Sequence, residues 1–320
     1  MHYRRLGRSG IKVSEISLGA WVTFGNQISD KTAAELVHTA YDQGVNFFDN
    51  ADVYAKGKAE EVLGKAIADI TRETLVISSK VFFPTMEGVN GRGLSRKHIN
   101  ESIHASLKRL NLEYLDIYFC HRYDPDTTVQ EVVQTMDMLV RQGKILYWGT
   151  SQWDAFHLMR AINFAKQNGL IPPMVEQTKY NLLHRRRMEN ELAPICGEYG
   201  IGLTTYSPLS GGLLSGKYNN GIPEKSRAVL EDMVWLQNEI NSDVIEKVRQ
   251  LTEVARGLGA TTAQLAIAWL LRRKEVSSVI TGASRPEQLD ENLAASEFSE
   301  ALTDEVLDSI ESIFSMENSV

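Results

Sequence analysis

A regular alternation of short β-rich runs with amphipathic helical stretches constrains this chain most. The runs lie at 15–21, 46–51, 74–81, 114–121, 144–151, 174–181, 201–208 and 276–283. The apolar spacing predicts helices at 30–44, 58–69, 95–109, 128–142, 153–168, 188–199, 242–257, 261–273, 285–295 and 303–314. Eight βα units in succession predict an α/β fold, the (β/α)8 TIM barrel, with an N-terminal β-hairpin and extra C-terminal-side helices.

A doubly wound open sheet is the alternative fold for alternating strands and helices. That fold carries a glycine-rich turn of GxGxxG spacing after its first strand. Here the turn at 21–29 contains only Gly25. The barrel is therefore favoured, and because no linker interrupts the βα period we predict a single domain over residues 1–320.

Two segments depart from the βα period. Residues 3–14 predict a small hairpin that turns at Ser9-Gly10 and plugs the amino end of the barrel. An insertion at 209–241 follows the seventh run and far exceeds the median loop length of ~4–6 residues. Long loops at the carboxyl face of a barrel are usually functional, so this insertion is a candidate binding loop or lid.

Composition excludes several classes of protein. Of 320 residues, 43% are hydrophobic and 23% charged, which is typical of globular chains. No apolar run approaches the ~18 residues of a membrane span, and no signal-peptide core follows Met1. Two cysteines, Cys120 and Cys196, favour a reducing cytoplasm. The net charge of −7 argues against a nucleic-acid partner, and no histidine–cysteine cluster has metal-ligand spacing.

Polar residues follow the ends of consecutive runs, where barrel active sites lie. They are Asp49, Lys80 and His121, with Tyr54 in the loop after the second run. Each one alone is equally a buried residue bonded to its neighbours, but their shared barrel face favours a site. Because an unpaired buried lysine is costly, we expect Asp49 to pair with Lys80.

These four side chains predict proton transfer to a carbonyl oxygen. A tyrosine with a pKa of roughly 10 is a poor acid at neutral pH, and a neighbouring Lys80 ammonium is expected to lower that pKa. His121 would then polarise the substrate oxygen while Tyr54 donates its proton. No side chain supplies hydride, so the hypothesis requires a nicotinamide. A barrel aldolase or isomerase that uses Lys80 as a Schiff base is an alternative.

The loop after the last run indicates phosphate binding. Gly282, Ala283 and Ser284 stand between a strand and a helix N-terminus, where free N–H groups attract anions. Simple helix capping is the alternative interpretation of such a start. Together with the TYSPLSGG loop at 205–212 it favours NADP over NAD. The basic segment HRRRM at 184–188 is interpreted as a solvated face.

Long ungapped segments resemble one known family over nearly the whole chain. They include FFDNADVYAKGKAEEVLG, YWGTSQW, TYSPLSGGLLSGKY, GIPEKSR and GASRPEQLDENL. The sequence resembles the aldo-keto reductases, and among them the β subunits of voltage-gated potassium channels and their bacterial relatives. The resemblance implies a catalytic tetrad of Asp49, Tyr54, Lys80 and His121. Animal channel β subunits typically carry Asn where His121 stands, so the HRYDP segment favours working catalysis.

The resemblance also implies NADPH/NADP+ as cofactor and assigns it a set of residues at the strand ends. This set is Trp21, Ser151, Gln152, Gln177, Tyr206, Ser207, Pro208, Leu209, Gly211, Lys217, Arg227, Gly282, Ser284, Gln288, Glu291 and Asn292. Ser151 and Gln177 would bind the carboxamide, Tyr206 would stack on the ring, and the loop at 282–292 would bind the adenosine 2′-phosphate. The substrate pocket would comprise Trp21, Tyr54, Phe82 and His121.

Two functions from different classes follow. One is the NADPH-dependent reduction of aldehydes, reactive carbonyls and ketones to alcohols, with a small-molecule carbonyl substrate. The alternative is a redox-sensing potassium-channel β-type subunit that binds NADPH, turns over slowly and docks on a channel partner. The resemblance to channel subunits implies a homotetramer for the second function.

Overall fold

The computed structural model describes residues 1–224, 226–231 and 233–315. Its strands are β1 (Tyr3–Arg5), β2 (Lys12–Ser14), β3 (Ile16–Gly19), β4 (Phe47–Asp49), β5 (Val76–Val81), β6 (Leu115–Cys120), β7 (Ile145–Ser151), β8 (Val175–Lys179), β9 (Gly202–Tyr206) and β10 (Val276–Thr281). Its α-helices are α1 (Asp30–Asp42), α2 (Lys58–Ala66), α3 (Arg96–Leu110), α4 (Val129–Arg141), α5 (Ala155–Gln167), α6 (Ala193–Tyr199), α7 (Val234–Glu239), α8 (Ser242–Gly257), α9 (Thr262–Leu271), α10 (Pro286–Leu293) and α11 (Asp304–Ile313). The prediction of a single domain over 1–320 stays a prediction, and its residues 225, 232 and 316–320 lie outside the described ranges.

Strands β3 to β10 form a closed barrel in which all neighbours are parallel. Each strand pairs with the next along the chain, and β10 closes the ring on β3 with Val279 opposite Ile16. Every residue of β5 and β6 is buried, as expected where a strand faces side chains inside and helices outside. The predicted (β/α)8 barrel is therefore confirmed.

Local capping places the helices after the strands. The hydroxyls of Ser29, Ser95 and Thr128 accept hydrogen bonds from the backbone three residues on, and so start α1, α3 and α4. The apolar helix faces then pack on the outer barrel wall and form the main core. This arrangement leaves the carboxyl ends of the strands to the loops.

The N-terminal hairpin closes the amino end of the barrel, as predicted. Leu6 and Val13 from the hairpin pack with Phe47, Phe119 and other inward-facing strand residues. The turn itself lies two residues earlier than predicted. The Ser9 N–H donates to the Leu6 carbonyl, and Gly7 takes a φ of +58°. Only glycine adopts that backbone readily, so the turn forms at Gly7.

The segment after β9 is partly helical rather than a simple loop. Helix α7 lies within the predicted insertion and packs near the loop that follows β9. Helix α11 packs on α8. Within the described ranges no single helix is long and apolar enough to cross a membrane; α8 and α9 meet that length and composition only together, across a bend of 86°.

Candidate active site

A buried ion pair lies at the carboxyl ends of β4 and β5. Lys80 is fully buried, and its Nζ donates to Asp49 Oδ2 over 2.6 Å and to the Asn50 carbonyl over 2.7 Å. The other oxygen of Asp49 accepts from Ser78 Oγ at 2.7 Å and Gln177 Nε2 at 3.0 Å. Burial lowers the pKa of Lys80, while Asp49 works to raise it. Every polar atom of this pair thus has a partner within the protein.

Tyr54 lies in the loop after β4 and accepts the third hydrogen bond from Lys80. Its Oη lies 3.3 Å from Lys80 Nζ, which has then used its three N–H donors on Asp49, Asn50 and Tyr54. Ala55 and Lys56 follow with φ of +48° and +55°, a left-handed backbone that non-glycine residues adopt at some energetic cost. That turn directs the phenol at the lysine.

The pKa of Tyr54 differs from the sequence-based expectation. Burial, and next to it the Asp49 carboxylate, raise the pKa of Tyr54 well above its ordinary value. The expected lowering by Lys80 is wrong for the protein alone, because loss of hydration outweighs the ammonium that Asp49 neutralises. Tyr54 is therefore a neutral phenol at physiological pH, and it still carries the proton that an acid needs.

His121 lies directly after β6 and contacts the ring of Tyr54. Its ring centroid is 5.9 Å from that of Tyr54 and 5.0 Å from that of Phe83, both edge to face. Burial, then the charge of Lys80, hold the pKa of His121 well below its ordinary value. Its Nδ1 atom has no hydrogen-bond partner among the described residues. A neutral imidazole with unused bonding capacity thus faces the phenol.

The predicted nicotinamide residues lie on three adjacent strands. Ser151 and Gln177 stand opposite each other on β7 and β8, and Tyr206 ends β9. Gln152, with a φ of +58°, donates from Nε2 to Tyr206 Oη over 2.7 Å and accepts from Arg187 through Oε1. The structure therefore assigns Gln152 to the orientation of Tyr206. Gln177 donates its amide to Asp49.

The loop after β9 is fixed by a turn at its start and by close packing against α7. Ser207, Pro208 and Leu209 make a turn closed by a bond from the Ser210 N–H to the Ser207 carbonyl. Gly211 has a φ of +67°, and a Cβ there would lie 2.9 Å from Leu236 of α7. Only glycine admits this close approach of the loop to α7.

Asn181 and Glu239 hold this loop and were missed by the sequence analysis. Asn181 Nδ2 donates to the Ser207 carbonyl over 2.8 Å, and Glu239 Oε2 accepts from Ser210 Oγ at 2.7 Å. Burial works to raise the pKa of Glu239, but hydrogen bonds from His184 and Ser210 lower it to about 2. The position of Asn181 at a strand end was the available signal for it, whereas Glu239 lies in α7, which was not predicted.

Three cations converge beyond this loop. Burial lowers the pKa of Arg227; partial burial and repulsion from Arg227 and Arg285 lower the pKa of Lys217 to about 8. Within the described part of the chain Lys217 and Arg227 have no carboxylate partner, and Arg285 lies 3.7 Å from Glu287. Neighbouring cations without carboxylate partners in the described part of the chain are typical of a site for an anion.

The loop between β10 and α10 adjoins these cations. A guanidinium nitrogen of Arg227 lies 3.6 Å from the position of a Cβ on Gly282. Gln288 Oε1 accepts from both the N–H and the hydroxyl of Ser284 at 3.0 Å, while Asn292 Nδ2 donates to the Gly282 carbonyl over 3.5 Å. Glu291 is half-buried on the same helix. These residues fix the strand-to-helix turn beside the cations.

Aromatic side chains line the side of the site next to β3 and β5. Trp21, after β3, is 39% exposed, and Phe82, after β5, is buried edge to face with Phe83.

The HRRRM segment is not the solvated face that was expected. Arg185 is buried between Glu189 and Glu311, and His184 and Arg187 bond Glu239 and Gln152. Only Arg186 of the four is exposed.

Comparison with known proteins gives a consistent result across the chain. The model of the family described as the aldo/keto reductase family matches residues 15–314. The chain is 48% identical to a "Probable voltage-gated potassium channel subunit beta" of Arabidopsis thaliana over 98% of this chain and 96% of the relative. It is 47% identical to a protein of the same name from Oryza sativa subsp. japonica, over the same shares.

Proposed function

The chain belongs to the aldo/keto reductase family, and from that premise we propose that it reduces aldehydes, reactive carbonyls and ketones to alcohols with NADPH. The observation that supports this most is that a neutral phenol, Tyr54, contacts both the ion-paired Lys80 and the neutral ring of His121. Such an arrangement places a proton donor beside two groups that bind a developing alkoxide.

The residues present fit a phosphorylated dinucleotide. Lys217 and Arg227 are cations without a carboxylate partner among the described residues, and Arg227 adjoins the Gly282–Ser284 turn before α10. Arg285 adds charge there, which favours NADPH with its extra phosphate over NADH. Ser151, Gln177 and Tyr206 would hold the nicotinamide, with Trp21 and the 207–211 loop beside it. When bound, NADPH would supply the hydride for the carbonyl carbon and would itself be released as NADP+.

The chain's own residues then supply the proton and the polarisation. His121 donates a hydrogen bond to the carbonyl oxygen, because its lowered pKa keeps it neutral with one N–H. Tyr54 donates its phenolic proton to the same oxygen as negative charge develops there. Lys80 stabilises the resulting phenolate across 3.3 Å, and Asp49 holds the lysine in place. Bulk solvent then returns the proton to Tyr54.

The Schiff-base alternative is disfavoured by the surroundings of Lys80. Its three N–H groups are used on Asp49, Asn50 and Tyr54, and the side chain is fully buried. A nucleophilic amine needs a free lone pair, which this ion-paired ammonium lacks. Borohydride with a carbonyl substrate should therefore trap no adduct on Lys80.

The test is NADPH consumption by the purified protein against a panel of small aldehydes. Tyr54→Phe should lower kcat by about 10²–10⁴-fold, the contribution of a general acid, and leave NADPH affinity within about twofold. Ser312→Ala, on the exposed face of α11, serves as the control variant. Undiminished turnover by Tyr54→Phe would remove Tyr54 as the acid.

A regulatory subunit is the second candidate function, favoured by the names of the two plant relatives. On this proposal the chain assembles as a homotetramer, binds NADPH and docks on a channel partner. His121 separates the candidates, because an asparagine there matches the pattern of animal channel subunits. His121→Asn should lower kcat/KM about tenfold or more if the wild-type protein is an enzyme. Tight NADPH binding without turnover in the wild type would favour the regulatory subunit.

A further inference from the structure

Arg122 adjoins the candidate site next to His121 and Phe83. It follows His121 at the end of β6, and its guanidinium carbon lies 5.5 Å from the centroid of the Phe83 ring. That ring in turn contacts the imidazole of His121, with 5.0 Å between centroids. The guanidinium therefore lies at the mouth of the site, one aromatic ring from the imidazole that faces Tyr54.

The charge of Arg122 is not neutralised within the described residues. Its guanidinium makes one hydrogen bond, from Nη1 to the carbonyl of His121, and no ion pair there. Four of its five N–H donors are thus left without a protein partner in that part of the chain. The side chain is half-buried, so water hydrates it only in part.

A second arginine borders the same mouth. The guanidinium carbon of Arg92, in the loop after β5, lies 5.8 Å from the centroid of the Phe82 ring. Phe82 and Phe83 contact each other edge to face at 5.2 Å, so the two phenylalanines separate two cations. The chain as a whole carries a net charge of −7, which makes this local positive region the opposite of the average surface.

The field of Arg122 reaches the reacting groups. After burial and the Asp49 carboxylate, which raise the pKa of Tyr54, the Arg122 charge works to lower it. It also works to lower the pKa of Tyr206 and, after burial and Lys80, that of His121. A cation that acts on these three side chains lies where a substrate bound between them would meet it.

We propose that Arg122 is a specificity-determining residue that selects carbonyl substrates bearing an anionic group, a carboxylate or a phosphate. The inference rests on the proposed reductase function and names the substrate class for it. A planar guanidinium binds either anion through two parallel N–H donors. The Phe83 ring beneath the guanidinium keeps these donors oriented. Arg92 adds attraction at the rim, where water screens it more.

The experiment compares matched charged and neutral aldehydes with the NADPH-loaded protein. One pair is succinic semialdehyde and its methyl ester, and the other is glycolaldehyde phosphate and glycolaldehyde. The wild type should show a kcat/KM at least about tenfold higher for one charged member, mainly through a lower KM. The pair that shows the preference tells carboxylate from phosphate.

Variants assign the preference to the residue. Arg122→Gln should reduce the charged-to-neutral ratio of kcat/KM about tenfold, and Arg122→Lys, which keeps the charge without the fork, should reduce it less. Arg92→Gln should reduce it by about twofold, since a rim charge is screened. Arg256→Gln, an exposed residue at the end of α8, changes net charge equally and should leave the ratio as in the wild type.

The outcomes separate this inference from the proposed function. Turnover of the neutral aldehydes with no charged-substrate preference, or a preference that Arg122→Gln retains, overturns the role of Arg122 and leaves the reductase standing. If no aldehyde is turned over, the anion site is tested by calorimetry, which measures the binding of succinate and of inorganic phosphate to the NADP+-loaded protein. Binding lost in Arg122→Gln and retained in Arg256→Gln supports the anion site without the reductase; binding that does not depend on Arg122 overturns it.

Discussion

Two lysines at the same end of the barrel have opposite surroundings. Lys80 is fully buried, and its ammonium has a partner for every N–H, including the Asp49 carboxylate at 2.6 Å. Lys217 retains exposed surface, lies near Arg227 and Arg285, and has no carboxylate partner among the described residues. One charged region is complete within the protein, and on our proposal the other is balanced by the phosphates of the cofactor.

The difference separates reacting machinery from a binding site. A proton donor needs fixed geometry before substrate arrives, so the Lys80 region is preorganised by its own hydrogen bonds. A cofactor that must enter and leave benefits from cations whose repulsion is relieved on binding. Changes to the two lysines should therefore have opposite effects on the protein without ligand.

The largest effect is expected from Lys80→Met. It leaves the buried carboxylate of Asp49 without its cation, which costs about 3–5 kcal/mol in the free energy of unfolding. Urea denaturation of the protein without NADPH measures the loss. The double variant Asp49→Leu with Lys80→Met removes both charges and should recover most of the stability. A single variant as stable as the wild type would contradict the pairing.

The substitution Lys217→Met tests the second lysine, which has no carboxylate partner among the described residues. Removing one of three mutually repelling cations should leave the stability of the unliganded protein equal to or above that of the wild type. The same change should raise the Kd for NADPH about tenfold, the value of one charge-assisted contact to phosphate. NADH affinity should fall less. Titration of both cofactors, followed by protein fluorescence, checks this; equal losses for the two would contradict a role in reading the extra phosphate.

The pH dependence of NADPH binding tests the same lysine. Its pKa of about 8 in the free protein lies below the ordinary value, so it loses its proton as pH rises through 8. NADPH affinity should therefore be constant below pH ~7 and fall several-fold by pH ~9.5, because phosphate binding then requires proton uptake. In Lys217→Met this fall should be absent. A fall of the same size in the variant would assign it to another group.

A buried acidic side chain, Glu176, behaves differently from both lysines. Glu176, beside Gln177 on β8, is buried, and burial raises its pKa to about 8 although Thr150 donates to it at 2.5 Å. An unfolded glutamate titrates near ~4.3, so the free energy of unfolding should fall as pH rises from about 5 to 8. Glu176→Gln removes this slope and should raise Tm by about 5–10 °C at pH ~8, with little change at pH ~5. An equal shift at both values would contradict a protonated Glu176.

The sequence predicted the barrel and the four candidate site residues because both depend on local pattern. Continuous apolar runs define strands buried on two faces, and parallel strands bring Asp49, Lys80 and His121 to one end without further information. The contact of Tyr54 with Lys80 depends on the left-handed turn at Ala55 and Lys56, which no periodicity indicates.

What the sequence did not predict depends on contacts distant along the chain. The short helix α7 has too few residues for a periodic signal, so the bond from Ser210 to Glu239 could not be foreseen. The raised pKa of Tyr54 and the burial of Arg185 both result from packing against residues that are distant along the chain. Arg122 was next to His121 in the sequence, but only the packing on Phe83 showed where its charge lies.

Product formation tests the central claim most directly. The wild-type protein is incubated with NADPH and an aldehyde, and alcohol and NADP+ are quantified together over time. We expect repeated turnover, with one alcohol formed for each NADP+. NADPH bound at one equivalent per chain, with no alcohol formed from any aldehyde of the panel, would contradict it and leave a cofactor-binding subunit in its place.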